Sequence, residues 1–245
     1  MDISSTSQTN AKSSRIISKV LSSAVRLWLR SRVEAVENLK LEIDAGDRQI
    51  LSGKILQVSL YTCKAIYQGL HLSQVQLEAR SISVNLPQVL RGKPLRLLEA
   101  FPVSGQIQLQ AADLKASLDS PLLTLALTDL FQQLLAAGGI SDPVRRLQDW
   151  QIQFSQLTLE TDALAIAGTL IDPQGEVRAI ALKTGVQLIT PQQLRLYPLE
   201  LQVPAEFSLQ PLEAFELALG TDVALEFVTL TPEALVCCGQ IQVNP

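Results

Sequence analysis

From Ser14 onward the apolar residues recur at three- and four-residue spacing, as Ile16, Ile17, Val20, Leu21, Ala24, Leu27, Trp28 and Leu29. Arg15, Lys19, Ser22, Arg26 and Arg30 fall along another face. That period predicts an amphipathic helix of about 25 residues ending near Asn38. Ahead of it, residues 1–12 (MDISSTSQTNAK) are polar and poor in apolar residues, and they read as a disordered tail.

After Leu39 the period falls to two. Leu39, Leu41 and Ile43, then Val75, Leu77 and Ala79, then Ile107, Leu109 and Ala111 read as half-buried strands. A glycine flanked by apolar residues two positions away on either side appears at Leu51 to Ile55, Val103 to Ile107, Ile166 to Leu170 and Cys237 to Ile241. Glycine inside a strand marks a bulge, a bend or a close backbone approach, so a strongly curved sheet is expected. A second helix is signalled by Ser120 as N-cap and Pro121 at the first helical position, running to a stop at Gly138. Short helical turns are expected at Pro87 to Arg91 and at Ala112 to Leu118.

Gly138 to Pro143 is the best boundary between two strand-rich halves of one domain spanning residues 13–245. Beyond it, Trp150 to Glu160, Leu164 to Ile171, Glu176 to Leu182 and Arg195 to Val203 read as strands, with a turn at Asp172 to Gly175. Val223 to Leu230 and Ala234 to Val243 form a hairpin around Thr231-Pro232-Glu233. The fold class is α+β: a long amphipathic helix on a mainly antiparallel sheet.

Composition narrows what this fold can do. With 245 residues, 47% of them hydrophobic but only 4% aromatic, the chain can bury a large aliphatic core and offers little for base stacking. The net charge of -4 is unevenly spread, because residues 1–38 hold six Lys/Arg against three Asp/Glu. Nucleic acid is therefore not an expected partner, whereas the basic end suits an anionic surface. Arg26, Arg30 and Arg32 interrupt any secretory h-region, and Asp129, Gln132 and Gln133 interrupt the most apolar stretch, Pro121 to Ile140. A cytoplasmic protein, at most peripheral to a membrane, is expected.

Catalytic chemistry finds few handles. His71 is the single histidine, and no GxSxG, GxGxxG, P-loop or Ca²⁺-loop pattern is present. Cys63, Cys237 and Cys238 are an odd number, and adjacent cysteines in a strand point to opposite faces, so neither a disulfide framework nor a metal site is expected. Ester hydrolysis with Ser73 and His71 ranks last among the readings, since no acid accompanies them. We expect no enzyme, no cofactor and no metal. The candidate binding residues are Arg15, Lys19, Arg26 and Arg30, which can line one helical face, and Trp28, which can anchor at a lipid interface. The competing reading has the apolar stripe packed on a sheet and the cations merely solvated; the two can coexist.

Several segments resemble the cyanobacterial branch of the LmeA-like phospholipid-binding family. They are Gly46-Asp47-Arg48-Gln49-Ile50-Leu51-Ser52-Gly53, Ala65-Ile66-Tyr67-Gln68-Gly69-Leu70-His71-Leu72-Ser73-Gln74-Val75, Gly92-Lys93-Pro94-Leu95-Arg96-Leu97-Leu98 and Gly239-Gln240-Ile241-Gln242-Val243-Asn244-Pro245. The resemblance implies a long helix held against a curved antiparallel sheet in the manner of tubular lipid-binding domains, with phospholipid as ligand. It assigns no catalytic residue. Exported mycobacterial relatives carry a role in envelope glycolipid assembly, which is not expected here. The leading expectation is an aliphatic groove between the early helix and the sheet that holds acyl chains while the basic face attracts headgroups. Its alternative is a protein-interaction scaffold with a closed interior and no ligand cavity.

Overall fold

A computed structural model describes residues 23–44 and 52–245. The expected tail, the first half of the early helix and residues 45–51 lie outside them. In chain order the elements are α1 (residues 23–30), β1 (Ala35–Asp44), β2 (Lys54–Tyr67), β3 (Leu70–Ser83), α2 (Leu86–Val89), β4 (Phe101–Gln110), α3 (Ala111–Ala116), α4 (Pro121–Ala137) and α5 (Pro143–Arg146). There follow β5 (Gln151–Glu160), β6 (Ala163–Ile171), β7 (Val177–Thr190), β8 (Gln193–Gln202), β9 (Phe215–Ala218), β10 (Val223–Leu230) and β11 (Ala234–Val243). Strand dominates over helix. The first sheet has the order β1-β2-β3-β4-β11-β10 and the second β5-β6-β7-β8-β9.

The early helix ends sooner than its spacing suggested. It ends at residue 30, Arg32 N closes the last turn onto Leu29 O (2.9 Å), and Ala35 to Asn38 belong to β1. Val33 and Val36 follow Leu29 at helical spacing, but both are β-branched and better suited to a strand, where Val36, Leu39, Leu41 and Ile43 are half-buried. Asn38 (φ 50°) shifts the alternation between Val36 and Leu39. Ala111 likewise leaves its strand pattern to open α3.

The described residues form two compact units. Unit 1 comprises residues 23–44, 52–65, 74–106 and 240–245; unit 2 comprises 66–73 and 107–239. Unit 1 is built on Val25, Ile55, Ala79, Ile82, Val84, Leu86, Val89 and Phe101, with Ala24, Leu29, Leu41, Leu95 and Leu97 packed against them. A Cβ on Gly105 would overlap the Gln76 carbonyl oxygen, so this glycine marks a close strand crossing.

Unit 2 carries the second sheet, antiparallel throughout. Its register lines up Leu157, Ile166, Leu182 and Leu201 across four strands. Leu127, Phe131, Leu134 and Leu135 of α4 are buried, and Leu127 and Leu134 share a cluster with Ile166, Leu182, Leu196 and Leu199. Ser120 caps the helix by accepting from Leu123 N (3.2 Å), and Pro121 opens it, as the sequence indicated. Gly138 closes α4 at φ -77°, while the left-handed step falls on Gly139 (φ 100°). Gly168 faces a bulge between Phe154 and Gln156, where a Cβ would meet the Gln153 carbonyl oxygen. β9 and a 3-10 turn at Ala205–Phe207 carried no clear signal in the sequence.

Candidate functional site

In α1, Val25 is 7% exposed and, with Ala24 and Leu29, seats the helix on the unit 1 core. The opposite side presents Arg26, Leu27 and Arg30 to solvent. Leu27, expected on the apolar stripe, is 72% exposed, because anchoring through Val25 and Leu29 turns position 27 outward with the arginines. Trp28 is half-buried, and the Arg32 guanidinium lies 5.6 Å from its ring centroid. Among the described residues, Arg26, Arg30 and Arg32 form no ion pair. Arg15 and Lys19 lie outside the described residues.

Among the described residues the cavities that stand out lie in unit 2, and α1, where a groove was expected, does not line them. Between α4 and the second sheet, Leu127, Leu130, Phe131, Leu134, Ile166, Leu182 and Leu201 enclose about 20 Å³. That is water-sized, so this layer is packed as a core. A second cavity of about 260 Å³ lies between β8 and the segment after the 3-10 turn, lined by Leu199, Leu201, Leu209, Gln210, Pro211 and Leu212. The third, about 370 Å³, is a trough over Ala165, Ala167 and Ala181 with walls that include Gln156, Thr158, Lys183, Glu200 and Gln202. Its register places Gln156, Ala167, Ala181 and Gln202 in one cross-strand row, and Lys183 is paired with Glu160 at 3.1 Å. Four leucines line the cavity beside β8, with polar surface in nearly equal share, and the trough mixes an alanine floor with polar walls.

Of the residues weighed for ester hydrolysis, Ser73 is tied through its side chain into the fold and His71 through its backbone. Ser73 Oγ donates to Asp113 Oδ2 and accepts from Gln110 N (2.6 Å), tying β3 to the β4–α3 junction. The His71 backbone N–H donates to Ser117 Oγ (2.8 Å). Cys63, Cys237 and Cys238 are free thiols. Burial pushes the Cys237 thiol up from its ordinary range; burial and the neighbouring Glu226 carboxylate do the same to Cys238.

Sequence reasoning missed Arg91, Lys93 and Arg96, which are exposed in the α2–β4 connection of unit 1. Residues 84–98 contain these three cations and no Asp or Glu, a signal available in the sequence but masked by the acidic balance of the chain after residue 38. Among the described residues no helix is long and apolar enough to cross a membrane.

No curated protein and no solved structure matches the chain. The family model described as LmeA-like phospholipid-binding matches residues 13–240, nearly the whole sequence. The chain belongs to the LmeA-like phospholipid-binding family.

Proposed function

We propose that this chain binds anionic phospholipid without catalysis, meeting headgroups at a membrane surface through Arg26 and Arg30, with Arg15 and Lys19 upstream and Trp28 at the interface. The observation that carries this reading is the outward face of α1, where two arginines with no ion pair among the described residues stand beside an exposed leucine on a helix whose other side is fixed in the core. A Lys or Arg near an anionic bilayer contributes about 1 kcal/mol, and an inserted leucine adds apolar burial.

The acyl part of the reading falls on the cavity of Leu199, Leu201, Leu209 and Leu212. At about 260 Å³ it is smaller than the roughly 300–1,000 Å³ usual for a whole small-molecule ligand, so it would take a segment of one chain rather than a diacyl lipid. Each methylene buried there would contribute roughly 0.8 kcal/mol. Strong sheet curvature of the tubular lipid-binding kind belongs to the same proposal, and the close approaches at Gly105 and Gly168 support it.

Co-sedimentation with phosphatidylcholine vesicles, with and without phosphatidylglycerol, tests the headgroup contact. Arg26→Glu/Arg30→Glu should reduce binding to the anionic vesicles roughly tenfold or more and leave the neutral ones little changed. Equal binding before and after would remove the electrostatic part.

One observation favours a second reading, a protein-interaction scaffold: the layer between α4 and the second sheet is closed to all but a water-sized space. Native mass spectrometry separates the two. Stoichiometric lipid adducts that vanish on organic extraction support lipid binding, and a clean apo mass after lipid re-addition supports the scaffold.

A further inference from the structure

The connection from Val84 to Leu98 has the composition of a membrane contact and the rigidity of a built element. Arg91, Lys93 and Arg96 are exposed, Leu90 and Leu98 are 46% and 58% exposed, and the whole segment lacks a carboxylate. None of the three cations takes part in an ion pair among the described residues. Large aliphatic side chains left in water beside unpaired cations suit a surface that supplies both phosphate and hydrocarbon.

The segment is held in one shape from within. Asn85, 4% exposed, donates through Nδ2 to Pro94 O (3.0 Å) and Gln88 Oε1 (3.1 Å), and its Oδ1 accepts from Arg96 N (2.7 Å). Its backbone N–H donates to Arg96 O (3.2 Å), and Val84 bridges Leu97. Leu86 and Val89 are buried, and Leu95 and Leu97 pack on the cluster that also seats Ala24, Val25 and Leu29 of α1. Half-burial of alternate positions 95 and 97 leaves Arg96 and Leu98 facing out, so the exposure of these two is set by the core rather than left to a loose loop.

We propose that residues 86–98 form the second half of a two-part docking surface for anionic phospholipid bilayers, with Arg91, Lys93 and Arg96 on headgroup phosphates and Leu90 and Leu98 inserted at the acyl boundary. The proposal rests on the reading of α1 given above and extends it: both elements are acid-free, each brings three cations when Arg32 is included, and both are seated on one core. The segment has no aromatic residue on which a nucleic-acid base could stack.

The test is co-sedimentation of the full chain with phosphatidylcholine vesicles containing phosphatidylglycerol, using three variants whose changed side chains are all solvent-exposed. Arg91→Glu/Lys93→Glu/Arg96→Glu should lower binding roughly tenfold or more with α1 intact. Leu90→Ser/Leu98→Ser should lower it severalfold while leaving its salt dependence unchanged, which a purely electrostatic or structural role would not do. Arg26→Glu/Arg30→Glu is the third arm. Loss with the α1 variant but with neither loop variant overturns this proposal and leaves the parent reading standing. No loss with any variant overturns both. Retention on an acidic protein surface with no vesicle binding overturns both in favour of a protein partner.

Discussion

The described residues of unit 1 carry ten Lys/Arg against six Asp/Glu, whereas unit 2 carries six against sixteen. A modest net charge of -4 thus conceals two bodies of opposite sign. Their interiors differ as well. Unit 2 lays a 17-residue helix on a five-stranded sheet and holds the cavities described above, while unit 1 builds an aliphatic core beneath α1 and the 84–98 connection. The difference teaches that the cationic surfaces proposed to meet headgroups and the cavity proposed to take an alkyl chain belong to different units. Each can be perturbed separately.

The sharpest contrast is between the cores. Leu134→Ala, at a site with no exposure in unit 2, should cost about 2–5 kcal/mol in urea unfolding. Val25→Ala beneath α1 should cost only about 1–2 kcal/mol, yet weaken binding to anionic vesicles by loosening the helix that presents Arg26 and Arg30. A costlier Val25→Ala would reverse the ranking of the two cores. Next in size, Gly168→Ala should destabilise by about 1–3 kcal/mol, since its Cβ must displace the backbone of β5 at the bulge; a neutral result would show that the crossing relaxes freely. Ser120→Ala should lose about 1 kcal/mol by thermal melting, through the missing cap on α4, with vesicle binding unchanged. The smallest effect is chemical. Because burial raises the Cys237 pKa, less thiolate is present at a given pH, so its alkylation should lag a free thiol at pH 8 and keep climbing above the ordinary range near ~8.5. Alkylation as fast as a free thiol would mean that β11 opens readily.

Much of unit 2 was legible in the sequence because its signals are local. The Ser120-Pro121 start, the Asp172 to Gly175 turn and the hairpin of β10 and β11 each depend on residues a few positions apart. The end of α1 was not, since Leu29, Val33 and Val36 fit a helical spacing as well as they fit the approach to a strand, and only pairing with β2 decides it. One such tie is Thr62 Oγ1, which donates to Glu37 O at 2.6 Å from 25 residues away. Of the candidate site, the outward placement of Arg26 and Arg30 was legible and Leu27 was assigned to the wrong face. Arg91, Lys93 and Arg96 were visible only as a motif. Their exposure depends on Asn85 and on leucines whose burial requires the folded core.

Hydrogen exchange of the full chain, with phosphatidylcholine vesicles containing or lacking phosphatidylglycerol, addresses the central claim most directly. The account predicts slowed exchange at residues 23–32 and 86–98 with the anionic vesicles alone, with added protection at 199–212 if a chain enters the cavity beside β8. Protection confined to unit 2, with 23–32 and 86–98 unaffected, would contradict it.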